Sequence, residues 1–301
     1  MKVFVTGVNG QLGHDVLLEL QKRGHEAIGS GSGSAYTAED SGRDCRYVQL
    51  NITDAAAVET AITALRPDAV VHCSAWTAVD AAEDEENKPT VYALNVTGTE
   101  NLAKAAESVG AKLLYLSTDY VFNGKGTQPR EADSVDYAPL NYYGETKLLG
   151  EEAVRRHCPR HYIVRTAWVF GKNGKNFIKT MIGVGKTHER VTVVNDQIGT
   201  PTYTRDLAVL LCDMAEREAY GTYHATNEGG YISWYELCVE AYRQYGLSTE
   251  VIPVTTAEYG LSKAARPENS RLDKSKLTEN GFKPLPDWKD AVKRYLEEAQ
   301  L

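Results

Sequence analysis

The sequence predicts an α/β protein: a Rossmann-type doubly wound parallel sheet with a smaller C-terminal lobe. In the first half, short apolar runs alternate with longer helical stretches, and strands separated by helices of this length form βαβ units with right-handed crossovers. One such run, residues 69–73, is almost continuously apolar, as expected of a strand that helices cover on both faces. After about Trp168 the alternation weakens, and aromatic residues, Gly and Pro become frequent. These observations place the sheet in the first part of the chain.

The predicted elements follow one another in regular order, and glycine or proline marks the ends of several helices. The first helix ends near Gly24, the second is closed by Pro67, and a long acidic helical stretch reaches Val109 before Gly110. Residues 30–34, Ser-Gly-Ser-Gly-Ser, have the composition of a flexible loop. The predicted strands cover residues 2–6, 26–29, 47–50, 69–73, 112–116 and 162–165, and the predicted helices include residues 55–65 and 148–156.

The change of pattern near Trp168 also sets the predicted domain boundaries. Residues 1–168 form the first domain, to which a segment near residues 199–220 returns. Residues 169–198 and 221–301 form the smaller lobe, which we interpret as a substrate-binding lobe. The chain has 301 residues, which is enough for two such units at roughly 150 residues each.

The composition excludes several classes of protein. Hydrophobic residues make up 42% of the chain and charged residues 25%, which excludes a disordered or collagenous chain. The 41 acidic residues outnumber the 33 basic ones, and the resulting net charge of −8 argues against a nucleic-acid partner, because phosphate backbones are bound by surplus Lys and Arg. No apolar run approaches the roughly 20 residues that span a bilayer, so we expect no membrane partner.

The first residues and the cysteines predict the compartment. The apolar stretch Val3–Val5 runs straight into a glycine-rich turn at Gly7, so we expect no secretory leader. The five cysteines are widely spaced and include no Cys-x-x-Cys pair. This pattern is typical of the reducing cytoplasm and of neither a disulfide framework nor a zinc site.

Three glycines with the spacing G-x-x-G-x-x-G lie between the first predicted strand and the first predicted helix. Glycines at such a junction let the backbone turn tightly and approach a pyrophosphate, which then lies on the free N–H groups of the helix start. This context predicts a dinucleotide-binding domain rather than a structural turn, which is the alternative. The glycines are Gly7, Gly10 and Gly13, and the expected cofactor contacts here are Gly7, Asn9, Gly10, Gln11 and Leu12.

The end of the second predicted strand bears on the choice of cofactor. In dinucleotide-binding domains an acidic residue here binds the ribose 2′-hydroxyl of NAD, whereas a nearby Arg accepts the 2′-phosphate of NADP. The local residues, from Ser30 to Ser34, include neither. Serine hydroxyls suit a phosphate and no carboxylate repels it. We therefore expect NADPH as cofactor, with Ser30 as a contact and NADH as the alternative.

Four side chains form a candidate acid–base site. Tyr143 and Lys147 are four residues apart and share one face of a predicted helix, where a lysine ammonium is expected to lower the pKa of the phenol. Thr118 and Asp119 end a buried strand, and ligands of open α/β sheets bind outside the carboxyl ends of strands. The alternatives are a surface Tyr and Lys on an amphipathic helix and a merely capped strand end.

Several segments together carry a resemblance to a known family. The glycine pattern, Ser-Thr-Asp-Tyr-Val-Phe and Tyr-x-x-x-Lys resemble those of the extended short-chain dehydrogenases/reductases, and more narrowly of the dTDP-4-dehydrorhamnose reductases. Related 4,6-dehydratases have a glutamate after the Thr-Asp pair, where this chain has Tyr120. The resemblance also covers residues 10–13, 76–80, 165–169, 195–202 and 266–272.

The resemblance implies hydride transfer from the nicotinamide to the C4 ketone of dTDP-4-dehydro-L-rhamnose, a nucleotide sugar. By this resemblance, Tyr143 would donate the proton, Lys147 would hold the cofactor ribose, and Thr118 and Asp119 would contact the sugar. Another nucleotide-sugar reductase or epimerase, or a non-catalytic cofactor-binding regulatory subunit, is the alternative. The further residues implied are Asn51, Ile52, Ser74, Ala75 and Trp76 for the cofactor, Val121, Trp168 and Asn176 for the substrate, and Arg266 and Arg271 for its diphosphate.

A metal site and a metal-bridged dimer are not expected. Some members of the family hold Mg²⁺ between subunits on carboxylates, and Asp15 fits the first such position, but Arg205 falls where a second acid is expected. We therefore predict no metal and a monomer or weak homodimer. The acidic run 80–86 is interpreted as a solvated helix face, and His72 as a core residue with satisfied hydrogen bonds.

Overall fold

A computed structural model describes residues 1–37 and 45–301 of the chain. At its centre lies a parallel sheet of seven strands. In chain order the strands of the described residues are β1 (Lys2–Thr6), β2 (Glu26–Gly31), β3 (Arg46–Gln49), β4 (Ala69–His72), β5 (Lys112–Thr118), β6 (His161–Thr166), β7 (Val169–Phe170), β8 (Arg190–Val194), β9 (Ile198–Gly199), β10 (Thr202–Tyr203), β11 (Gly221–His224), β12 (Asn227–Glu228), β13 (Ile232–Ser233), β14 (Glu250–Val254) and β15 (Leu285–Asp287).

Helices connect most of these strands. Local signals account for several helix ends: the Asp54 side chain accepts a hydrogen bond from Ala57 N at the start of α2, and Gly110 ends α4 in the left-handed conformation with φ of 77°. The helices are α1 (Gln11–Lys22), α2 (Ala55–Leu65), α3 (Lys88–Tyr92), α4 (Gly98–Val109), α5 (Tyr142–His157), α6 (Phe177–Gly185), α7 (Thr204–Ala215), α8 (Trp234–Tyr245), α9 (Thr256–Tyr259), α10 (Ser275–Glu279) and α11 (Trp288–Ala299).

The order of strands in the central sheet is β11-β6-β5-β4-β1-β2-β3. The chain proceeds outward from β1 to β3 and then returns to the other side of β1, where Thr6 pairs in register with His72 of β4. This reversal leaves a crevice at the carboxyl ends of β1 and β4, the position where open α/β sheets bind ligands. The predicted doubly wound α/β class is confirmed.

Apolar side chains of helices on both faces hold the sheet. Leu17 of α1 and Leu211 of α7 lie in the cluster on one face, with Val3 and Val5. Ile62 of α2 and Leu102 of α4 lie in the cluster on the other, with Val70, Leu113 and Ile163. Because β1, β4 and β5 are covered on both sides, their sequences are nearly continuous apolar runs rather than alternating ones.

A second cluster of elements has its own core. Phe170, Ile182, Tyr242 and Tyr295 are buried together there, and β8 pairs with β14 in parallel. One boundary of the predicted lobe is wrong: residues 221–224 are not in it, because β11 pairs with β6 as the edge strand of the central sheet. The rest of the division into two domains stays a prediction.

Two local predictions also need correction. The acidic stretch up to Val109 is not one helix but a 3-10 turn at Ala81–Glu83, α3, a π-helical turn at Ala93–Thr97 and α4. Asn95 lies inside the π turn, and its amide donates to the Thr146 hydroxyl of α5 at 3.0 Å. In a regular α-helix the Asn95 side chain would point in a different direction. The predicted loop at 30–34 begins later, because β2 continues through Gly31. None of the described helices is long and apolar enough to cross a membrane.

Candidate active site

A cavity of about 820 Å³ opens at the carboxyl ends of the central strands. Its size is within the range of small-molecule sites, which run from roughly 300 to 1,000 Å³. It brings together three sequence-predicted groups: the glycine loop before α1, the end of β5 and the first turns of α5. The lining includes Gly7, Asn9, Gly10, Gln11, Leu12, Asn51, Ile52, Ser74, Ala75, Thr118, Asp119, Tyr143, Lys147 and Trp168, all predicted as site residues.

The glycine loop fits a dinucleotide because it has no room for side chains. Gly7 has φ of 72°, and a Cβ there would lie 2.9 Å from Ser74 N. A Cβ on Gly13 would lie 2.3 Å from the Gly7 carbonyl oxygen, so α1 packs directly on the loop. Gly10 precedes α1 without a side-chain cap, which leaves the first N–H groups of the helix open toward the cavity.

The end of the cavity beyond β2 lacks acidic side chains among the described lining residues. Gly31, Ser32 and Gly33 line it, whereas Ser30 does not. Ser30 is fully buried within β2, where it pairs with Thr6 of β1 and Val48 of β3, so the geometry does not support its prediction as a cofactor contact. Ser32, two residues on, is exposed toward the cavity.

The acid–base group is assembled where α5 meets the end of β5. The Asn141 side chain accepts from Gly144 N at 2.8 Å and so begins α5 next to the site. Gly144 lies against the turn that follows β5, since a Cβ there would be 2.4 Å from the Tyr120 carbonyl oxygen. This close approach brings the phenol of Tyr143 beside Thr118, whose hydroxyl donates to Asp119 Oδ1 at 2.9 Å.

Burial dominates the electrostatics of these groups. Burial, and next the charge of Asp119, raise the pKa of the Tyr143 phenol well above its ordinary range, while a hydrogen bond with Thr118 lowers it. Burial lowers the pKa of Lys147 to about 7 and raises that of Asp119 to about 6. The expected lowering of the Tyr143 pKa by Lys147 is therefore not found in this structure. The phenol keeps its proton at neutral pH.

A buried ion pair supports α5 behind Lys147. Glu151, one turn further along the same face, accepts from Arg165 Nε at 2.8 Å and from Arg165 Nη2 at 2.7 Å. Both side chains are completely shielded from solvent. Ser117 of β5 also donates to Glu151, at 2.5 Å. The bonds to Arg165 and Ser117 tie α5 to β5 and β6.

Trp168 forms one wall of the cavity in a strained backbone conformation. Its φ of 51° lies in the left-handed region, which residues other than Gly, Asn and Asp rarely adopt. Its ring stacks on Trp234 with centroids 3.9 Å apart. A Cβ on Gly199 would lie 3.0 Å from the Trp168 ring, so packing from two elements holds the tryptophan in place.

Several predicted contacts do not line the cavity. Trp76 bonds instead to the Ala78 carbonyl oxygen, and Val121 is fully buried in an apolar cluster with Phe122 and Leu272. Arg271 donates to Asn269 Oδ1 at 3.0 Å. For these three residues the predicted direct contacts are not supported by the geometry, because each side chain is engaged by neighbouring protein groups.

Arg266 is engaged by protein groups close to the site. It donates to the Tyr120 hydroxyl at 3.1 Å and to Asp80 Oδ2 at 2.6 Å. Tyr120 lines the cavity and its ring lies edge-on to Tyr143, with centroids 5.7 Å apart. One side chain, Tyr120, therefore separates Arg266 from the Tyr143 phenol, and Asp80, predicted as part of a solvated face, is the ion-pair partner of Arg266.

The sequence did not identify a loop that contacts the glycine loop from the second part of the chain. Gly174 and Lys175 line the cavity, and Gln11 Nε2 donates to the Lys175 carbonyl oxygen at 3.3 Å. Asn176, predicted as a substrate contact, is buried and donates to Gln11 Oε1 at 3.2 Å. No spacing rule predicts these contacts, because they join residues more than 160 positions apart.

His72 and Asp15 lie outside the acid–base group. His72 is buried between the Thr6 and Thr99 hydroxyls, as predicted. Asp15 is buried between α1 and α7, where burial raises its pKa to about 7. Arg205 binds Glu298 at 3.1 Å beside it, and a guanidinium there does not fit a divalent cation. Within residues 1–37 and 45–301, no group of three His, Cys, Asp or Glu side chains has a metal-binding arrangement.

Comparison with known proteins identifies the family. The family model described as the RmlD substrate binding domain matches residues 1–301, the whole chain. The chain belongs to this RmlD family. A relative named dTDP-4-dehydrorhamnose reductase from Streptomyces griseus is 40% identical over 96% of the chain and 90% of its own length.

Two further relatives of the RmlD family are similar over nearly their full lengths. The spore coat polysaccharide biosynthesis protein SpsK of Bacillus subtilis is 40% identical over 99% of the chain and 97% of its own length. A crystal structure of dTDP-4-dehydrorhamnose reductase from Bacillus anthracis, in complex with NADP, has a TM-score of 0.88 and 37% identity, and the match covers 99% of this chain and 100% of that one. Membership of the extended short-chain dehydrogenases/reductases, expected from the motifs, is confirmed.

Proposed function

We propose that this protein reduces the C4 ketone of dTDP-4-dehydro-L-rhamnose to dTDP-L-rhamnose, with NADPH as the preferred reductant. The observation that carries the proposal is the assembly of Tyr143, Lys147, Thr118 and Asp119 in one cavity with the glycine loop. The names of the relatives support the choice of substrate. Tyr120 after Asp119 supports reduction over dehydration, since no carboxylate stands there for water elimination.

The residues present fit a nicotinamide dinucleotide. The glycine loop and the open start of α1 would hold the diphosphate, with Gln11 and Leu12 beside it. Lys175 adds a cation at the same end of the cavity. Asn51 and Ile52 would contact the adenine, Ser74 and Ala75 the middle of the cofactor, and Lys147 the nicotinamide ribose. When bound, the reduced nicotinamide supplies the hydride for the substrate carbon.

The protein residues supply the proton and the orientation of the sugar. As the C4 carbonyl carbon gains hydride, its oxygen becomes an alkoxide, and the Tyr143 hydroxyl transfers its proton to that oxygen. Burial keeps this phenol protonated, as a proton donor must be. Thr118 and Asp119 would bind sugar hydroxyls, and Trp168 would cover one side of the ring. The overall reaction consumes one hydride and one proton for each ketone reduced.

The activity is tested by following absorbance at 340 nm after dTDP-4-dehydro-L-rhamnose, made in situ, is added to protein with NADPH or NADH. We expect stoichiometric oxidation, one equivalent of cofactor for each sugar, with a higher kcat/KM for NADPH. An epimerase would consume no net cofactor. Cofactor binding without oxidation would contradict the proposed substrate and favour another nucleotide sugar first and a regulatory subunit second.

The cavity-facing serine of the loop after β2 provides a test of cofactor choice. Ser32→Asp places a carboxylate where it repels a 2′-phosphate and accepts from ribose hydroxyls, so the ratio of kcat/KM for NADPH over NADH is expected to fall about tenfold or more. Ser34→Asp, an exposed position that does not line the cavity, is the matched control. Equal ratios in both variants would show that Ser32 does not lie near the 2′ position.

We place the protein in the cytoplasm as a monomer or weak homodimer. All five cysteines are free thiols, two of them partly exposed and three buried. Free thiols of this kind persist in a reducing compartment. The guanidinium of Arg205 beside Asp15 and Glu298 supports the absence of a metal-bridged dimer.

A further inference from the structure

A segment near the C-terminus, residues 268–273, lies between two other parts of the chain and contacts Asp119 of the candidate site. Asn269 N donates to the Gly124 carbonyl oxygen at 2.8 Å, beyond the end of β5. Ser270 N donates to the Ile198 carbonyl oxygen of β9, also at 2.8 Å. Backbone hydrogen bonds on both sides therefore fix the position of Ser270.

The side chain of Ser270 reaches the carboxylate of the acid–base group. Its hydroxyl donates to Asp119 Oδ2 at 2.5 Å, while the Thr118 hydroxyl donates to Asp119 Oδ1 at 2.9 Å. All three side chains are buried. Each carboxylate oxygen thus accepts from one protein hydroxyl, and the backbone N–H groups of Asp119 and Tyr120 also donate to this carboxylate. Ser270 is the contribution of the C-terminal segment to this arrangement.

We propose that Ser270 is a positioning residue of the reductase reaction, which fixes the orientation of the Asp119 carboxylate and thereby that of Thr118 beside Tyr143. This inference rests on the proposed function. The carboxylate torsion of an aspartate has broad rotational freedom, so a carboxylate held on one oxygen only can turn away from its productive orientation. With a hydroxyl on each oxygen, the Asp119 carboxylate is held in one orientation.

The packing around Ser270 extends the same support to the wall of the cavity. A Cβ on Gly199 would lie 2.9 Å from the Ser270 Cβ and 3.0 Å from the Trp168 ring. Gly199, which has no side chain, is therefore packed between Ser270 and the ring of Trp168. The C-terminal segment holds the carboxylate and packs, through Gly199, against the aromatic wall.

The charges around Asp119 define the pH dependence that this role predicts. Tyr120 adjoins Asp119 on its own element and Tyr143 faces it from α5. Arg266, which precedes the C-terminal segment, donates to Tyr120 and has Asp80 as its ion-pair partner. Burial raises the pKa of Asp119, whereas the hydrogen bond from Ser270 lowers it. Loss of that hydrogen bond raises the pKa of Asp119. On lowering the pH, the variant's carboxylate therefore becomes protonated at a higher pH than that of the wild type.

The test compares variants that remove the donor with one that keeps it. Ser270→Ala and Ser270→Cys lack a strong donor and are expected to lower kcat about tenfold, with the acidic limb of the kcat–pH profile moved to higher pH. Ser270→Thr retains the hydroxyl and is expected to restore both. NADPH affinity, measured by fluorescence titration, should not change in any of them. Ser275→Ala is the matched control, because it removes a serine-to-aspartate hydrogen bond, to Asp273, away from the cavity.

The outcomes separate this inference from the proposed function. If the wild-type protein does not oxidise NADPH with the sugar nucleotide, the proposed function fails before any variant is compared. If the wild type turns over and either donor-free variant, folded by its circular dichroism and Tm, keeps the wild-type kcat and acidic limb, the role of Ser270 is overturned. Equal losses in Ser270→Cys and Ser270→Thr would overturn it too, because the donor then makes no difference.

Discussion

Tyr143→Phe is expected to lower kcat by about 10²-fold or more while leaving NADPH binding intact. The change removes one oxygen from a buried side chain and, with it, the proton that the alkoxide needs. The Tyr143 phenol is the cavity-lining hydroxyl that burial holds protonated beside Thr118 and Asp119. Single-turnover measurement with preformed complex separates the chemical step from binding and product release.

The neighbouring tyrosine provides a matched control for this variant. Tyr142 begins α5 and directs its hydroxyl to the Lys88 carbonyl oxygen at 3.4 Å, away from the cavity. Tyr142→Phe should therefore retain kcat within about twofold, as expected of a hydroxyl outside the reaction. Full turnover by Tyr143→Phe would remove Tyr143 from the mechanism, and equal losses in both variants would indicate a disturbed helix instead of a lost proton donor.

The second large effect concerns stability. Glu151→Gln is expected to lower the free energy of unfolding by about 3–5 kcal/mol, because it leaves the buried Arg165 guanidinium without its countercharge. Both partners are fully shielded, so solvent cannot compensate for the loss. Equilibrium denaturation in urea, followed by circular dichroism, measures the change. Glu152→Gln, an exposed neighbour on the same helix, is the control and should change stability by no more than about 0.5 kcal/mol.

The same ion pair predicts how stability depends on pH. Hydrogen bonds from Arg165 hold the pKa of Glu151 below its ordinary value of 4.5, against the effect of burial. A carboxyl with a lowered pKa in the folded state stabilises the protein above its unfolded pKa, and this contribution disappears as the pH falls. We expect the wild-type protein to lose stability below about pH 4.5 more steeply than Glu151→Gln does. Parallel pH profiles of the two proteins would contradict the assignment.

The sequence alone predicted the parallel sheet and the four residues of the candidate acid–base group, which line one cavity. Short apolar runs, separated by helical stretches, identified the strands on both sides of β1. The spacing of Tyr143 and Lys147 placed these two residues on one face of a helix. Glycines at positions 7, 10 and 13 predicted the bare loop before α1. These features could be predicted because strand alternation, helical spacing and tight turns depend on residues only a few positions apart.

The errors arose where the orientation of one side chain mattered. Ser30 and Ser32 have the same chemistry and are two residues apart, yet Ser30 is buried in β2, whereas Ser32 follows the end of β2 and lines the cavity. The sequence did not show that β2 continues to Gly31, so the loop was placed two residues too early. Arg266 carries the charge expected of a diphosphate contact, but in this structure its guanidinium binds Asp80 and Tyr120.

The sequence by itself determined the α/β class, the glycine loop and the Tyr-x-x-x-Lys helix, because each is specified by local spacing. Only the tertiary structure decided which distant groups complete the site: the loop of Lys175 against Gln11, and Ser270 against a carboxylate 151 residues earlier. Such contacts depend on how whole helices and strands pack, and on which backbone groups of distant segments form hydrogen bonds with each other. No residue pattern within either segment encodes its partner, so the fold has to be built before the contact can be seen.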